Sequence, residues 1–280
     1  MNKEILIICR GGGDLATGIV HRLFRAGYQV LILETAEPAA IRREVSFCEA
    51  VYEGTATVEG VTAERIYTAK KQAVEEVLQR GHIPLLVDPD GRSIEVLKPD
   101  VVVDAIIAKK NLGTYKEMAP LVIGIGPGFV AGEDVHLVVE SMRGHNLARI
   151  LETGSALANT GIPGNIGGYT KERVIHAAAE GYMKNLHQIG DVVRKGEKIA
   201  RIYEQMSPEG VFSGRFVSVE ATIPGVLRGL IREGYHFQKG FKIADIDPRE
   251  SELANCFTIS DKASSIGGSV LEAVCRYVNG

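Results

Sequence analysis

Tryptophan is absent from the 280 residues, cysteine occurs four times, and neither sign of charge dominates: 32 Lys and Arg face 35 Asp and Glu, a formal net charge of −3. Each shortage excludes something. Without a basic excess there is no electrostatic case for nucleic acid or for an anionic membrane surface. No apolar run approaches the roughly 20 residues of a membrane span. The chain opens straight into a strand pattern, so no signal peptide is expected. Cys9, Cys48, Cys256 and Cys275 show no C-x-x-C spacing, so reduced thiols in a cytoplasmic protein are expected and no metal ligand set. No nucleophile elbow, P-loop or paired-carboxylate motif argues for hydrolysis. What is present is ordinary for a globular chain, 45% hydrophobic and 24% charged, with length enough for two domains.

Glycine is plentiful, and its densest early use organises the first half. Residues 5–9 are an apolar run suited to a buried parallel strand. Gly11, Gly12 and Gly13 follow, and from Gly11 the pattern is G-x-G-x-x-A, ending at Ala16. Leu15, Ile19, Leu23 and Phe24 share one helical face, with Gly27 at the stop. Residues 30–33 form a second apolar run ending at Glu34. Strand, glycine turn, helix, strand and terminal acid are the parts of a dinucleotide site: Gly11 for the tight turn, Gly13 for approach of a pyrophosphate, Glu34 for a ribose hydroxyl. Asp14 would set a negative charge beside that pyrophosphate, and Arg10 could offset it. The expected cofactor contacts are therefore Arg10, Gly11, Gly12, Gly13, Asp14 and Glu34. The competing reading gives the glycines to close packing alone. Cys9 borders the loop and reads more simply as a small buried strand residue.

Further apolar runs at 83–87, 101–107 and 121–125, with a helical pattern at 69–80, fit alternating strands and helices. Gly124-Ile-Gly126-Pro-Gly128 is a second glycine loop at a strand end, which adds Gly126 and Gly128 to the expected site. Residues 135–141 alternate as a strand carrying His136 and Glu140, and Arg143-Gly-His145-Asn146 forms the turn after it. His136, Arg143 and His145 are the candidate catalytic groups. His136 and Glu140 could be a metal pair only with ligands from elsewhere. Arg42 and Arg43 read as a solvated pair or as an anion contact. Residues 154–168 form a long glycine-rich loop, and Thr170 is placed as the cap of a helix to about 180. Ser260 caps a final helix over 261–277.

From residue 186 the chain repeats. LHQIGDVVRKGEKIARI recurs as LIREGYHFQKGFKIADI, Leu186 and Leu230 standing 44 positions apart. Short strands and a Lys-Gly turn without helical period resemble the halves of a barrel-sandwich hybrid, the lipoyl and biotinyl carrier fold. No lysine lies between Lys198 and Lys239, so no covalent lipoate or biotin is expected. The expected fold is an α/β Rossmann-like doubly wound domain plus that barrel, divided as 1–182, 183–248 and a C-terminal helix at 249–280 packing back on the body.

The combined motifs RGGGDLATGI, FCEAVYEG, GIGPGF.AG.DVH, E.MRGHNL.R, TGIPG.IGGYT.ERV and the GD.V..G repeat resemble the YqeB family, and the N-terminal half is similar to XdhC-type Rossmann domains. That resemblance implies an accessory or maturation protein of the selenium-dependent molybdenum hydroxylase system. Its partners would be the hydroxylase or its maturation machinery, and its ligand molybdopterin cytosine dinucleotide or NAD(P). An NAD(P)-dependent oxidoreductase and a non-catalytic partner-binding module remain the alternatives.

Overall fold

The computed structural model describes residues 5–159, 161, 164 and 166–280. Contacts divide the chain into two compact units. Residues 1–38, 45–160 and 259–280 form the first, and residues 39–44 and 161–258 the second.

The first unit is built on nine strands: β1 (Leu6–Arg10), β2 (Gln29–Glu34), β3 (Thr55–Val58), β4 (Val61–Ile66), β5 (Ile83–Val87), β6 (Val101–Asp104), β7 (Leu121–Ile125), β8 (Leu137–Val139) and β9 (Ile150–Leu151). Their order across the sheet is β3-β4-β5-β2-β1-β6-β7-β8-β9. From β4 to β8 every pairing is parallel. Such strands are buried on both faces, which is why they read as unbroken apolar runs. Ile7 and Cys9 of β1 face one core layer and Ile8 the other. The first layer is covered by α1 (Asp14–Arg25) and α5 (Asp261–Asn279), the second by α3 (Lys71–Gln79) and α4 (Arg92–Leu97). A single turn, α2 (Ala50–Glu53), adds to the first layer.

Both sheet edges break the parallel rule. β3 and β4 form a hairpin through Glu59 and Gly60, both at positive φ, the conformation that two-residue hairpin turns need. β9 returns antiparallel on β8.

The second unit holds two four-stranded sheets, β10-β17-β15-β12 and β14-β13-β11-β16. The strands are β10 (Val174–His176), β11 (Gly181–Asn185), β12 (Val192–Val193), β13 (Lys198–Met206), β14 (Phe212–Glu220), β15 (Gly225–Leu230), β16 (His236–Phe237) and β17 (Lys242–Asp247). All pairings are antiparallel. Met183, Ile199, Val226, Leu230 and Ile243 lie in their shared apolar core. The repeat seen in sequence starts further upstream than Leu186. Gly181 packs against the carbonyl of Tyr203, while Gly225, 44 positions on, packs against that of Asp247. Both glycines have large positive φ, +153° and +145°, and an added Cβ on either would strike the opposing carbonyl. The two copies exchange partners: β12 of the first copy pairs β15, and β16 of the second pairs β11.

These sheets correct the expected Rossmann-like domain plus barrel-sandwich hybrid. The first unit is a mixed nine-stranded sheet with an antiparallel strand at each edge, and the second is a pair of separate antiparallel sheets. The helix expected after Thr170 is also corrected: one short turn, Lys171–Arg173, leads directly into β10. Ladder pairing to β17 competes there with a helix that would have buried little. Thr160, Ile162, Pro163 and Asn165 of the glycine-rich loop lie outside the described residues.

Candidate ligand crevice at the strand ends

In parallel sheets the loops after the strands meet at the carboxyl edge, and a crevice opens where strand order reverses. In the first unit that point lies between β1 and β6. The loop after β1 is drawn tightly into the protein. Gly11 N–H donates to the Leu33 carbonyl at 2.8 Å. Gly12 N–H donates to Glu34 Oε1 at 2.9 Å. The Gly12 carbonyl accepts from Cys48 N–H at 2.8 Å and from the Thr17 hydroxyl at 3.2 Å. A Cβ on Gly12 would stand 3.1 Å from Cys48 N and 3.2 Å from Ile32 Cγ2. The 47–48 segment thus sits where a bound pyrophosphate would need room.

Glu34 is turned back onto this loop, with Oε2 accepting from Thr35 N–H at 2.6 Å. Burial raises its pKa against the pull of those two N–H donors. Arg10 is equally committed. It is 2% exposed, donates to the Thr114 hydroxyl and to the Pro89 carbonyl at 3.1 Å, and lies 3.6 Å from Asp104. Burial pushes Asp104 up, opposed by Thr114, the Ile106 N–H and Arg10. Cys9 and Cys48 flank the loop as neutral thiols, since burial and then nearby carboxylates raise both.

Gly13 differs from its neighbours. It is the N-cap of α1, without a side-chain cap, and an added Cβ would meet nothing within 4 Å. Open space therefore lies before the α1 N-terminus. A second helix begins at the same edge. α5 is capped by Ser260, which accepts from Ala263 N–H at 3.2 Å, and it runs parallel to α1. A Cβ on Gly18 would approach Ala263 to 2.7 Å, and further along the Tyr28 hydroxyl lies 3.5 Å from Cys275 Sγ. Two positive helix ends thus point the same way.

The turn after β8 closes the edge. Glu140 is buried and accepts from Met142 N–H at 2.7 Å and Leu157 N–H at 2.8 Å. Arg143 holds Asp261 through two bonds of 2.7 and 2.8 Å. Lys262, on the first turn of α5, lies within electrostatic reach of Arg143, Asp14, Glu140 and Asp261. Burial and Arg143 lower its pKa, while the carboxylates oppose them.

The sequence candidates therefore separate. Asp14 and Arg143 both lie within electrostatic reach of Lys262, and Gly13 caps the helix that Asp14 begins. Gly126 and Gly128 follow β7 but are packed against Ser141 and the Lys110 backbone. His145 is exposed in its turn. His136 precedes β8, at the amino end, where its Nδ1 accepts from Val122 N–H at 3.0 Å. Lys262 was not among the candidates. No spacing in the sequence puts it beside Asp14, and only the parallel packing of α1 and α5 does so. Among the described residues, no three His, Cys, Asp or Glu side chains converge to hold a metal ion, and no helix is long and apolar enough to cross a membrane.

No family model matches the chain. Among solved structures it is similar to the product-bound ectoine utilization protein EutE (DoeB) from Ruegeria pomeroyi, with 11% identity over 87% of this chain and 85% of that one and a TM-score of 0.28. It is also similar to an aspartoacylase family protein from Mesorhizobium loti, with 10% identity over 88% and 86% and a TM-score of 0.30. TM-scores this low carry no argument about a reaction. With the glycine loop closed by Glu34 and residues 47–48, the expected Rossmann dinucleotide site is corrected. The NAD(P) or molybdopterin cytosine dinucleotide cofactor and the molybdenum hydroxylase accessory role are withdrawn with it. Over 274 residues, 98% of its length, the chain is 46% identical to the uncharacterized protein YqeB of Escherichia coli strain K12, and it spans 48% of that relative. The sequence comparison thus supports placing this chain in the YqeB family.

Proposed function

We propose that the first unit binds a small molecule through an anionic group, carboxylate or phosphate, in the crevice before the N-termini of α1 and α5. The observation that carries this reading is the pairing of an α1 N-terminus with no side-chain cap and open space at Gly13 with Lys262, which lies within electrostatic reach of Asp14 on that helix and of Arg143. Backbone N–H groups and the dipole at a helix start favour negative charge. The nearby carboxylates do not cancel this attraction outright, because Glu34 and Glu140 each accept two backbone N–H groups, Asp261 is held by Arg143, and the Asp14 charge on the first turn of α1 is offset by Lys262. Lys262 supplies charge whose protonation is sensitive to what occupies the crevice.

Thermal shift with inorganic phosphate, pyrophosphate and succinate tests this, against sodium chloride of matched ionic strength. The expected result is a rise of about 2–5 °C at ligand well above Kd, cut by more than about half in Lys262→Met. Binding should weaken as alkaline pH removes the Lys262 proton below the ordinary lysine range. No stabilisation by any probe, or equal stabilisation of the variant, rules the reading out.

A further inference from the structure

The outer face of the sheet β14-β13-β11-β16 carries a ring on every strand, in one row. His236 is register partner of Tyr182, Tyr182 of Tyr203, and Tyr203 of Phe216. Tyr182 and His236 have centroids 4.7 Å apart, Tyr203 and Phe216 5.2 Å, and Phe212 extends the cluster at 5.4 Å from Tyr203. The adjacent row is cationic, with Lys184 paired to Arg201. Arg201 lies over the Phe216 ring at 4.7 Å and Lys184 over Phe212 at 5.1 Å. This face is not sealed, since Phe216 is 47% exposed. β14 is the outermost strand and its regular register runs from Phe216 to Val219. Between Phe216 and Val219 the strand carries no charged residue and no Pro, the usual protection of an exposed edge.

We propose that this face and the β14 edge dock an extended acidic segment of a partner protein, which adds as a further strand beside β14. An open edge offers main-chain hydrogen bonds that a polypeptide strand can take up. Tyr, Phe and Arg are the side chains that anchor protein interfaces. Arg201 selects for a carboxylate on the incoming strand, while Lys184 is already held by Glu233. The carboxylates bordering the face argue against nucleic acid, because Glu233 holds Lys184 at 2.8 Å and Glu180 lies 3.5 Å from His236. A polyanion with a charge at every unit would be repelled there. A peptide mixing acidic and aromatic residues sets its charge at Arg201 and its rings on the row.

Fluorescence anisotropy with a labelled random copolymer of Glu and Tyr is the test. Poly-Glu and a roughly 20-nucleotide oligothymidylate serve as competing probes. The copolymer should bind in low salt, more tightly than either competitor. Arg201→Gln and Phe216→Ser should each weaken it about tenfold, while Lys195→Glu, in a turn off this face, changes it less than about twofold. Circular dichroism checks that each variant is folded. Lys184→Gln replaces any variant that is not. Copolymer binding that is absent, or unchanged in the variants, overturns the proposal. So does tighter binding of the oligothymidylate. A dimer in sedimentation that Arg201→Gln dissolves would give the face to a second copy instead.

Discussion

Gly225 in the β-sheet unit and Gly13 in the α/β unit are both glycines at the start of an element, and they occupy opposite environments. Gly225 begins β15 at φ +145°, with the Asp247 carbonyl against the place a Cβ would take. Gly13 begins α1 at φ −68°, an ordinary value, with nothing within 4 Å of that place. The first glycine is demanded by the protein's own backbone. The second leaves room that the protein does not use. Glycine in a sequence is equally a mark of close packing and of a vacancy, and only the surroundings tell them apart.

The largest expected effect is at the packed end of that contrast. Gly225→Ala should destabilise by about 3 kcal/mol or more, since it combines a disfavoured backbone angle with a clash against a carbonyl that cannot swing away. Gly181→Ala should match it, because Gly181 meets the Tyr203 carbonyl in the same way. Urea titrations measure both, and a loss under about 1 kcal/mol for either would break the equivalence of the two repeat copies. Next comes Gly18→Val. A Cβ on Gly18 would stand 2.8 Å from the Ala263 backbone, so a larger side chain must push α5 off α1 at a cost of about 1–3 kcal/mol. It should also blunt the phosphate response, because Lys262 rides on α5. Gly13→Ala should cost about 0.5–1 kcal/mol, the ordinary difference between glycine and alanine at an N-cap. Its effect should fall on anion binding instead, and a fold loss as large as that of Gly225→Ala would erase the distinction.

The parts readable from sequence were those set by local rules. The β1–loop–α1–β2 run follows from hydrophobic period and glycine placement, and Ser260 does cap α5. The β3–β4 hairpin also has a local signature, TATV and VTAERI around Glu59-Gly60. That hairpin is one of the two features that make the sheet mixed. Other features depend on contacts distant in sequence. Glu34 sits where a ribose acid would sit, and nothing local says that its carboxylate folds back to Gly12. Residues 47–48 fill the glycine loop from some 35 positions away. His136 and Glu140 flank the same short strand, one just before β8 and one just after it, so parallel pairing with β7 sets the two at opposite ends of the sheet. The repeat was visible by eye, but the exchange of β12 and β16 between sheets is a property of the pairing.

The smallest effect is also the most specific, and it concerns Glu34. Its folded pKa is raised above the ordinary 4.5, with burial the largest cause and the Thr35 and Gly12 N–H groups opposing it. A carboxyl whose folded pKa is raised favours folding while protonated. That contribution is complete below the unfolded value and is lost as pH rises through the folded one. Glu34→Gln cannot titrate. It keeps an acceptor for Gly12 N–H and sets an amide NH2 where Oε2 accepted from Thr35, a pH-independent penalty of about 1 kcal/mol. The absolute stability of the variant is therefore uninformative, and the slope decides. The melting temperature of Glu34→Gln minus that of the wild type should increase from pH 4 to pH 7, by a few degrees at most. If the difference is flat, the Gly12 and Thr35 N–H groups fully compensate burial and the loop tolerates its charge without cost. If it falls as pH rises, the carboxylate is a net stabiliser of the glycine loop, and Glu34 is better described as a built-in anion filling a cradle made for one.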